Sequence, residues 1–178
     1  MRIISGSHKG RRIQAPKKLP VRPTTDMAKE GLFNILANRF DFKTINALDL
    51  FSGTGNISYE LASRGVPQIV SIDKTPACVA FISKTAEDFG FDIFARTADY
   101  QKYLERETRQ FNVIFADPPY DFSEKQFQNI SDLIFEGKLL KENGVLIIEH
   151  SKHTDLSAHS SFTNKRGYGH SVFSFFEY

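Results

Sequence analysis

Four short apolar runs lead in turn to Asp49, Asp73, Asp99 and Asp117, each followed by a helical pattern. This alternation constrains the fold more than any other feature of the chain. Strands separated by helices pair in parallel and give an α/β sheet. Ligands of open α/β sheets bind beyond the carboxyl ends of the strands, so the four acids are expected along one crevice.

The first run opens into a glycine turn. Residues 46 to 65 read Asn-Ala-Leu-Asp49-Leu-Phe51-Ser-Gly53-Thr-Gly55-Asn56 and continue as a helix with Ile57 and Leu61 on one face. Gly53 and Gly55 let backbone approach a ligand, and the helix amino end beyond them offers unpaired N–H groups. The third glycine of the dinucleotide fingerprint is replaced by Ser58, and no Gly-Lys-Ser/Thr phosphate loop follows. Asp73 then ends the run Gln68 to Ile72, 24 residues after Asp49, where an acid can bind both hydroxyls of a ribose. Lys74-Thr75-Pro76 begins a helix expected to reach Phe89. Asp99, with Tyr100 beside it, is placed either to accept from an adenine amine or to cap a helix over 100–108.

The fourth run, Phe111 to Ala116, ends in Asp117-Pro118-Pro119-Tyr120. The exocyclic amine of a nucleobase is a poor nucleophile because its lone pair is delocalised into the ring. Two acceptors aimed at its hydrogens draw that pair out of the plane. The Asp117 carboxylate and the Pro118 carbonyl are candidates, held by the restriction that successive prolines impose. Tyr120 would stack on the base. Adenosine on one side and a target amine on the other imply S-adenosylmethionine.

Composition supplies bounds. At 178 residues and 40% hydrophobic content the chain is expected to form one domain, 1–178. The single Cys78 excludes an internal disulfide and falls among Val79, Phe81 and Ile82, which suits packing. The five histidines show no ligand spacing, so no metal is expected. The sequence shows no long apolar run and no signal peptide, so the expectation is a soluble cytoplasmic monomer without membrane contact. Net charge is +2, but it is divided unevenly. Arg2, Lys9, Arg11, Arg12, Lys17, Lys18 and Arg22 lie in the first 22 residues without one acid, and the remainder is net negative. A basic arm on an acidic domain is the footprint of a phosphate-backbone partner. Ile3-Ile4 and Arg12-Ile13, with His8-Lys9-Gly10 between them, predict that residues 1–22 form a β-hairpin.

Thr24 or Thr25 is expected to cap an amphipathic helix carrying Leu32, Phe33 and Leu36. A further helix is expected from Asp121 to about Phe135. Glu142-Asn-Gly144 reads as a turn into Val145 to Glu149, and Phe162 to Tyr178 as two strands joined around Gly167 to Gly169.

Four stretches in this order resemble the RsmD family of bacterial small-subunit rRNA guanine-N2 methyltransferases over nearly the whole chain. They are Arg2-Ile-Ile-Ser-Gly6 with Gly10-Arg11-Arg12, Arg22-Pro-Thr-Thr-Asp26 with Lys29-Glu30, Asp49 to Gly55, and Asp117 to Tyr120. The resemblance implies a class I (Rossmann-like) methyltransferase fold, a seven-stranded, mostly parallel sheet with one antiparallel strand. It also implies methylation of guanine 966 of 16S rRNA, within the small subunit or an assembly intermediate. Candidate cofactor residues are Thr24, Asp49, Phe51, Gly53, Gly55, Asp73, Lys74, Asp99 and Tyr100; candidate catalytic residues are Asp117, Pro118 and Tyr120. Met27 stands where the family has a basic residue, and Asn56 where it has a small one.

Two other readings share part of this pattern. Adenine-N6 methyltransferases use the same Asp-Pro-Pro-Tyr chemistry, although those acting on DNA usually carry a separate recognition domain. A non-catalytic ribosome-assembly factor with a vestigial pocket would have no need of Asp117 and both glycines.

Overall fold

In a computed structural model of the chain, residues 1–16, 19 and 24–178 are described; Lys17, Lys18 and Arg22 lie outside them. The strands are β1 (Asn46–Leu50), β2 (Gln68–Asp73), β3 (Ile93–Thr97), β4 (Phe111–Ala116), β5 (Leu140–Ser151), β6 (Phe162–Tyr168) and β7 (Ser171–Phe176). They form one seven-stranded sheet in the order β3-β2-β1-β4-β5-β7-β6. The first five are parallel, and β7 runs antiparallel to both its neighbours.

Both faces of the sheet are covered, which is why its central strands are apolar on both sides. Leu48, Leu50, Ile114 and Ala116 face a core completed by α4 (Tyr100–Leu104) and α5 (Glu124–Glu136). Ala47, Val113 and Phe115 face the other, built with α1 (Asp26–Ala37) and α2 (Asn56–Ser63). A third, smaller cluster joins Ile3 and Ile13 of the arm to Tyr59 and to Ile82 of α3 (Pro76–Phe89). The helix ends follow local chemistry. Thr25 Oγ1 accepts from Ala28 N at 3.2 Å, Pro76 begins α3, and Ser123 with Gln126 forms a capping box on α5. That box moves the start of α5 three residues past the expected Asp121, and α4 stops at Leu104 rather than 108.

Two expectations are corrected. Glu142-Asn-Gly144 is not a turn before a strand, because β5 runs through it. Pairing with β4 jumps from Phe111↔Leu140 to Val113↔Val145, so the extra residues of β5 bulge from the ladder. Arg39 Nη2 donates to the carbonyls of Asn143 and Gly144 at 3.1 and 3.2 Å, which satisfies groups the ladder leaves open. Among the described residues of the basic arm no two-stranded ladder forms. The arm folds back through one antiparallel bridge, Arg2↔Arg12, and bonds such as Ile3 N to Arg11 O at 2.9 Å. Its other donors are taken by α2: Glu60 accepts from Ile4 N at 2.7 Å and Ser5 N at 3.1 Å.

Gly6 marks how tightly the arm is seated. Its φ is +85°, and a Cβ there would lie 1.8 Å from the Ser63 carbonyl oxygen, whereas Gly10, at φ +82°, faces open space. Gly10→Ala is expected to cost only the left-handed penalty of roughly 1–2 kcal/mol. Gly6→Ala is expected to cost at least about 2 kcal/mol more, because the arm must shift off α2. Thermal unfolding of the two variants side by side measures this difference, and equal melting temperatures would contradict it.

Candidate active site

Between β1 and α2 the backbone turns sharply. Phe51 has φ 60° and Gly55, the N-terminal residue flanking α2, has φ 83°. A Cβ on Gly55 would meet the Tyr59 ring at 2.7 Å, so the position demands glycine on both counts. Phe51 has no such freedom, and its left-handed backbone costs roughly 1–2 kcal/mol. Its ring is held against Tyr100 and Phe122, with centroids 4.9 and 5.7 Å apart. The turn is tied to β2 as well. Ser52 N donates to Ile72 O at 3.0 Å, and Gly53 N to Asp73 Oδ2 at 2.8 Å.

A cavity of about 490 Å³ lies over the carboxyl ends of β1, β2 and β4. Every candidate cofactor and catalytic residue named from the sequence lines it except Gly55, which acts from behind. The volume falls within the roughly 300–1,000 Å³ of sites for small ligands and cofactors. The donor set fits an adenosyl group. Asp73 uses Oδ2 for Gly53 N and Oδ1 for Thr75 N, also at 2.8 Å, and a carboxylate with about four lone-pair sites retains two for ribose hydroxyls. Asp99 is the cap that one reading expected, with Oδ1 accepting from Gln101 N and Lys102 N, and the residue also lines the cavity. Phe51, Tyr100 and Phe122 provide an aromatic wall for a base.

The opposite wall is acidic. Asp49 is buried and accepts from Ser58 N at 3.2 Å and Ser58 Oγ at 2.5 Å; that hydroxyl also meets Ser71 Oγ at 2.6 Å. Burial pushes the Asp49 carboxyl up to about 7, against the pull of the Ser58 bonds. Asp117 is raised well above the usual carboxylate range, first by burial, then by Glu149 and Asp49. Glu149 lies within β5, one step beyond the last β4 pair, Ala116↔Ile148, and accepts from Thr24 Oγ1 at 2.8 Å. Such a wall favours a cationic ligand. Pro118 is buried beside Asp117, and Tyr120, at the cavity mouth, has its hydroxyl 3.3 Å from Ser171 Oγ.

Some functional residues escaped the sequence reading. Glu149 closes Val145 to Ile148 in the manner of the four aspartates, so a signal was present. Phe122 was assigned to the start of a helix; instead its N–H donates to Pro119 O at 3.0 Å in a turn that folds the ring over the cavity. Asn56 proves to be structural as well as cavity-lining: Nδ2 donates to Thr24 O at 3.1 Å, and Oδ1 accepts from Lys29 Nζ at 2.8 Å. Arg2, Lys9, Arg11 and Arg12 are exposed and lie outside the cavity, with Arg2 Nε 3.0 Å from Asp26 Oδ2. Among the described residues no helix is long and apolar enough to cross a membrane.

Sheet order, glycine turn and cavity together define an S-adenosylmethionine-dependent methyltransferase of the class I fold. The family described as "Conserved hypothetical protein 95" matches residues 1–177, and the chain belongs to it, the RsmD family to which its motifs point. Among similar proteins is "Putative rRNA methyltransferase YlbH" of Bacillus subtilis, 34% identical, with 88% of this chain and 85% of that protein covered. "Ribosomal RNA small subunit methyltransferase D" of Haemophilus influenzae is 30% identical, covering 92% and 85% respectively. The solved structure of "Putative methyltransferase yhhF from Escherichia coli" shares the fold, with TM-score 0.85 at 23% identity over 99% of this chain and 96% of that one.

The Asp49 environment yields a prediction of definite sign. Its folded-state carboxyl holds a proton up to about pH 7, whereas the unfolded one loses it near 3.8. The unfolded state therefore binds fewer protons between those values, and stability falls as pH rises through the window. Asp49→Asn keeps an acceptor for Ser58 without the charge. It is expected to match the wild type at pH 4 and to exceed it by on the order of 2 kcal/mol at pH 8 in urea unfolding. A variant less stable at pH 8 would show that the Ser58 bonds outweigh burial.

Proposed function

We propose that the protein transfers a methyl group from S-adenosylmethionine to N2 of a guanine in small-subunit ribosomal RNA. The observation that carries this reading is the meeting of Asp117-Pro118-Pro119-Tyr120 with Asp73 and Asp99 in one cavity. The names of the relatives supply the substrate class. The whole chain acts as one catalytic domain, and residues 1–22 serve as its RNA-binding arm. Location in the cytoplasm and action as a monomer on the small subunit, or on an assembly intermediate, complete the proposal.

When bound, S-adenosylmethionine supplies an electrophilic methyl on a sulfonium centre. The chain's own residues do the rest. Asp73 would hold the cofactor's ribose hydroxyls, Asp99 would accept from its adenine amine, and Phe51, Tyr100 and Phe122 would confine its adenine ring. Across the cavity the Asp117 carboxylate and Pro118 carbonyl accept the two N–H bonds of the guanine amine, which turns its lone pair towards the methyl. Tyr120 stacks on the base once it leaves its own stack. Most of the acceleration comes from holding the reacting atoms about 3 Å apart. Asp117 receives the proton that the amine sheds after alkylation, and its raised proton affinity suits it to that step.

The test is methyl transfer to under-methylated small subunits, free 16S rRNA and duplex DNA, followed by nucleoside analysis. N2-methylguanosine on the subunit is expected. Methyladenine would move the protein to the adenine-N6 class, and cofactor binding without transfer would favour an assembly factor. Asp117→Ala is expected to lower kcat by about 10²–10³ while leaving affinity for S-adenosylhomocysteine within about threefold. Asp73→Ala should weaken that affinity by at least about 100-fold, since two charged hydrogen bonds are lost. Equal loss of cofactor binding in both variants would contradict the division of roles. For the arm, Arg11→Ala combined with Arg12→Ala should flatten the salt dependence of subunit binding by roughly 1.4–1.8 log units per log unit of salt. An unchanged slope would remove the arm from the interface.

A further inference from the structure

The basic arm and the cofactor cavity share a buried junction built around Lys29. This side chain leaves α1 and is 1% exposed. Its ammonium donates to the carbonyl of Arg2 in the arm at 2.6 Å and to Asn56 Oδ1 at 2.8 Å, and lies 3.7 Å from Glu60 Oε2. Asn56 is the first residue of α2 and lines the cavity. Its Nδ2 holds Thr24 O at 3.1 Å, and Thr24 Oγ1 in turn holds Glu149 at 2.8 Å. One cation thus joins the arm to a chain of hydrogen bonds that forms a wall of the cavity and ends beside Asp117.

Stability gives a poor reason for placing an ammonium there. Taking a charge out of water costs several kcal/mol, and an apolar side chain of similar size usually serves a core as well or better. Burial lowers the proton affinity of Lys29, with a smaller push from the Arg2 charge, while Glu60 and Asp26 oppose that shift. Glu60 does not depend on Lys29 either, since it also accepts from Ile4 N, Ser5 N and Arg64 Nε, the last at 2.8 Å. The contacts specific to Lys29 are the carbonyl of Arg2 and the side-chain oxygen of Asn56. These lie on opposite sides of the junction, one in the arm and one at the cavity.

We propose that Lys29 is a positioning residue that sets the register between the RNA-binding arm and the cofactor cavity. This rests on the reading of the arm as an RNA contact. An RNA gripped through the exposed arginines and lysine of the arm would then present its nucleotide at a fixed offset from the methyl donor. Lys29 lines no part of the cavity and acts only through Asn56, Thr24 and Arg2. Its removal should therefore misalign the reaction more than it weakens attachment of the RNA.

The experiment uses full-length protein, S-adenosylhomocysteine titration and steady-state methylation of under-methylated small subunits. Lys29→Met is expected to raise the S-adenosylhomocysteine Kd about tenfold and to lower kcat at saturating cofactor about tenfold, with the subunit KM within about threefold. Lys29→Gln, which keeps one donor group for either acceptor, should recover part of both losses. Ile134→Ala, a cavity in the core behind α5, serves as a destabilised control and should lower the melting temperature without moving either quantity. Unchanged Kd and kcat in Lys29→Met would overturn the proposal. So would equal losses in Ile134→Ala, or a rise in subunit KM with kcat intact. If the wild type binds S-adenosylhomocysteine but methylates no subunit, the substrate reading falls, and the Kd ratio of Lys29→Met to wild type decides the positioning role alone.

Discussion

Between Leu50 and Asn56 the backbone passes through left-handed conformations at Phe51, Gly53 and Gly55, and the ligand-facing surface of the molecule is arranged around that turn. Two of the three positions are glycines that adopt the geometry freely; Phe51 is not, and the packing of its ring compensates for the strain. Because Ser52 and Gly53 are tied to Ile72 and Asp73, the turn cannot move without β2. The same turn delivers the amino end of α2 to the cavity and places Asn56 between the arm and Thr24. A local backbone constraint thereby fixes the relative positions of the cofactor acids, the aromatic wall and the arm.

The parallel sheet explains why so many acids meet there. The parallel register brings Asp49 of β1, Asp73 of β2, Asp117 after β4 and Glu149 of β5 to one side of the sheet, so they cannot avoid one another's fields. Asp73 and Asp49 both accept from backbone N–H groups, and burial gives Asp49 and Asp117 high proton affinity. The wall is costly to the empty protein and favourable to a positively charged ligand. Stability and function pull in opposite directions at these positions, as is common where sites are preorganised.

Much of this was legible in the sequence because it is local. Glycines, prolines and caps act within a few residues, and an acid at the end of an apolar run has only one place to go in a parallel sheet. The four aspartates and the Pro-Pro turn were placed for that reason. What escaped depended on partners distant in sequence. Lys29 looks like a surface residue on an amphipathic helix until Arg2, Asn56 and Glu60 enclose it. The arm has the alternation of a hairpin, but its two runs share a single bridge, and the N–H groups of Ile4 and Ser5 turn to Glu60 instead. Glu142-Asn-Gly144 has the composition of a turn, and only Arg39, about a hundred residues earlier, shows that its carbonyls have been provided for within a strand.

The placement of β7 has a consequence for the order in which the sheet is assembled. β6 precedes β7 in the chain but touches the sheet only through it, since β7 lies between β5 and β6. On a ribosome, β6 therefore emerges before β7, the strand with which it pairs. The parallel strands can collapse around their two cores first, leaving β5 as a temporary open border that carries Val145 to Ile148. Such a border invites pairing with other chains until it is covered. The antiparallel insertion thus acts as a late clasp, and its arrival closes the sheet beside the acids of the site.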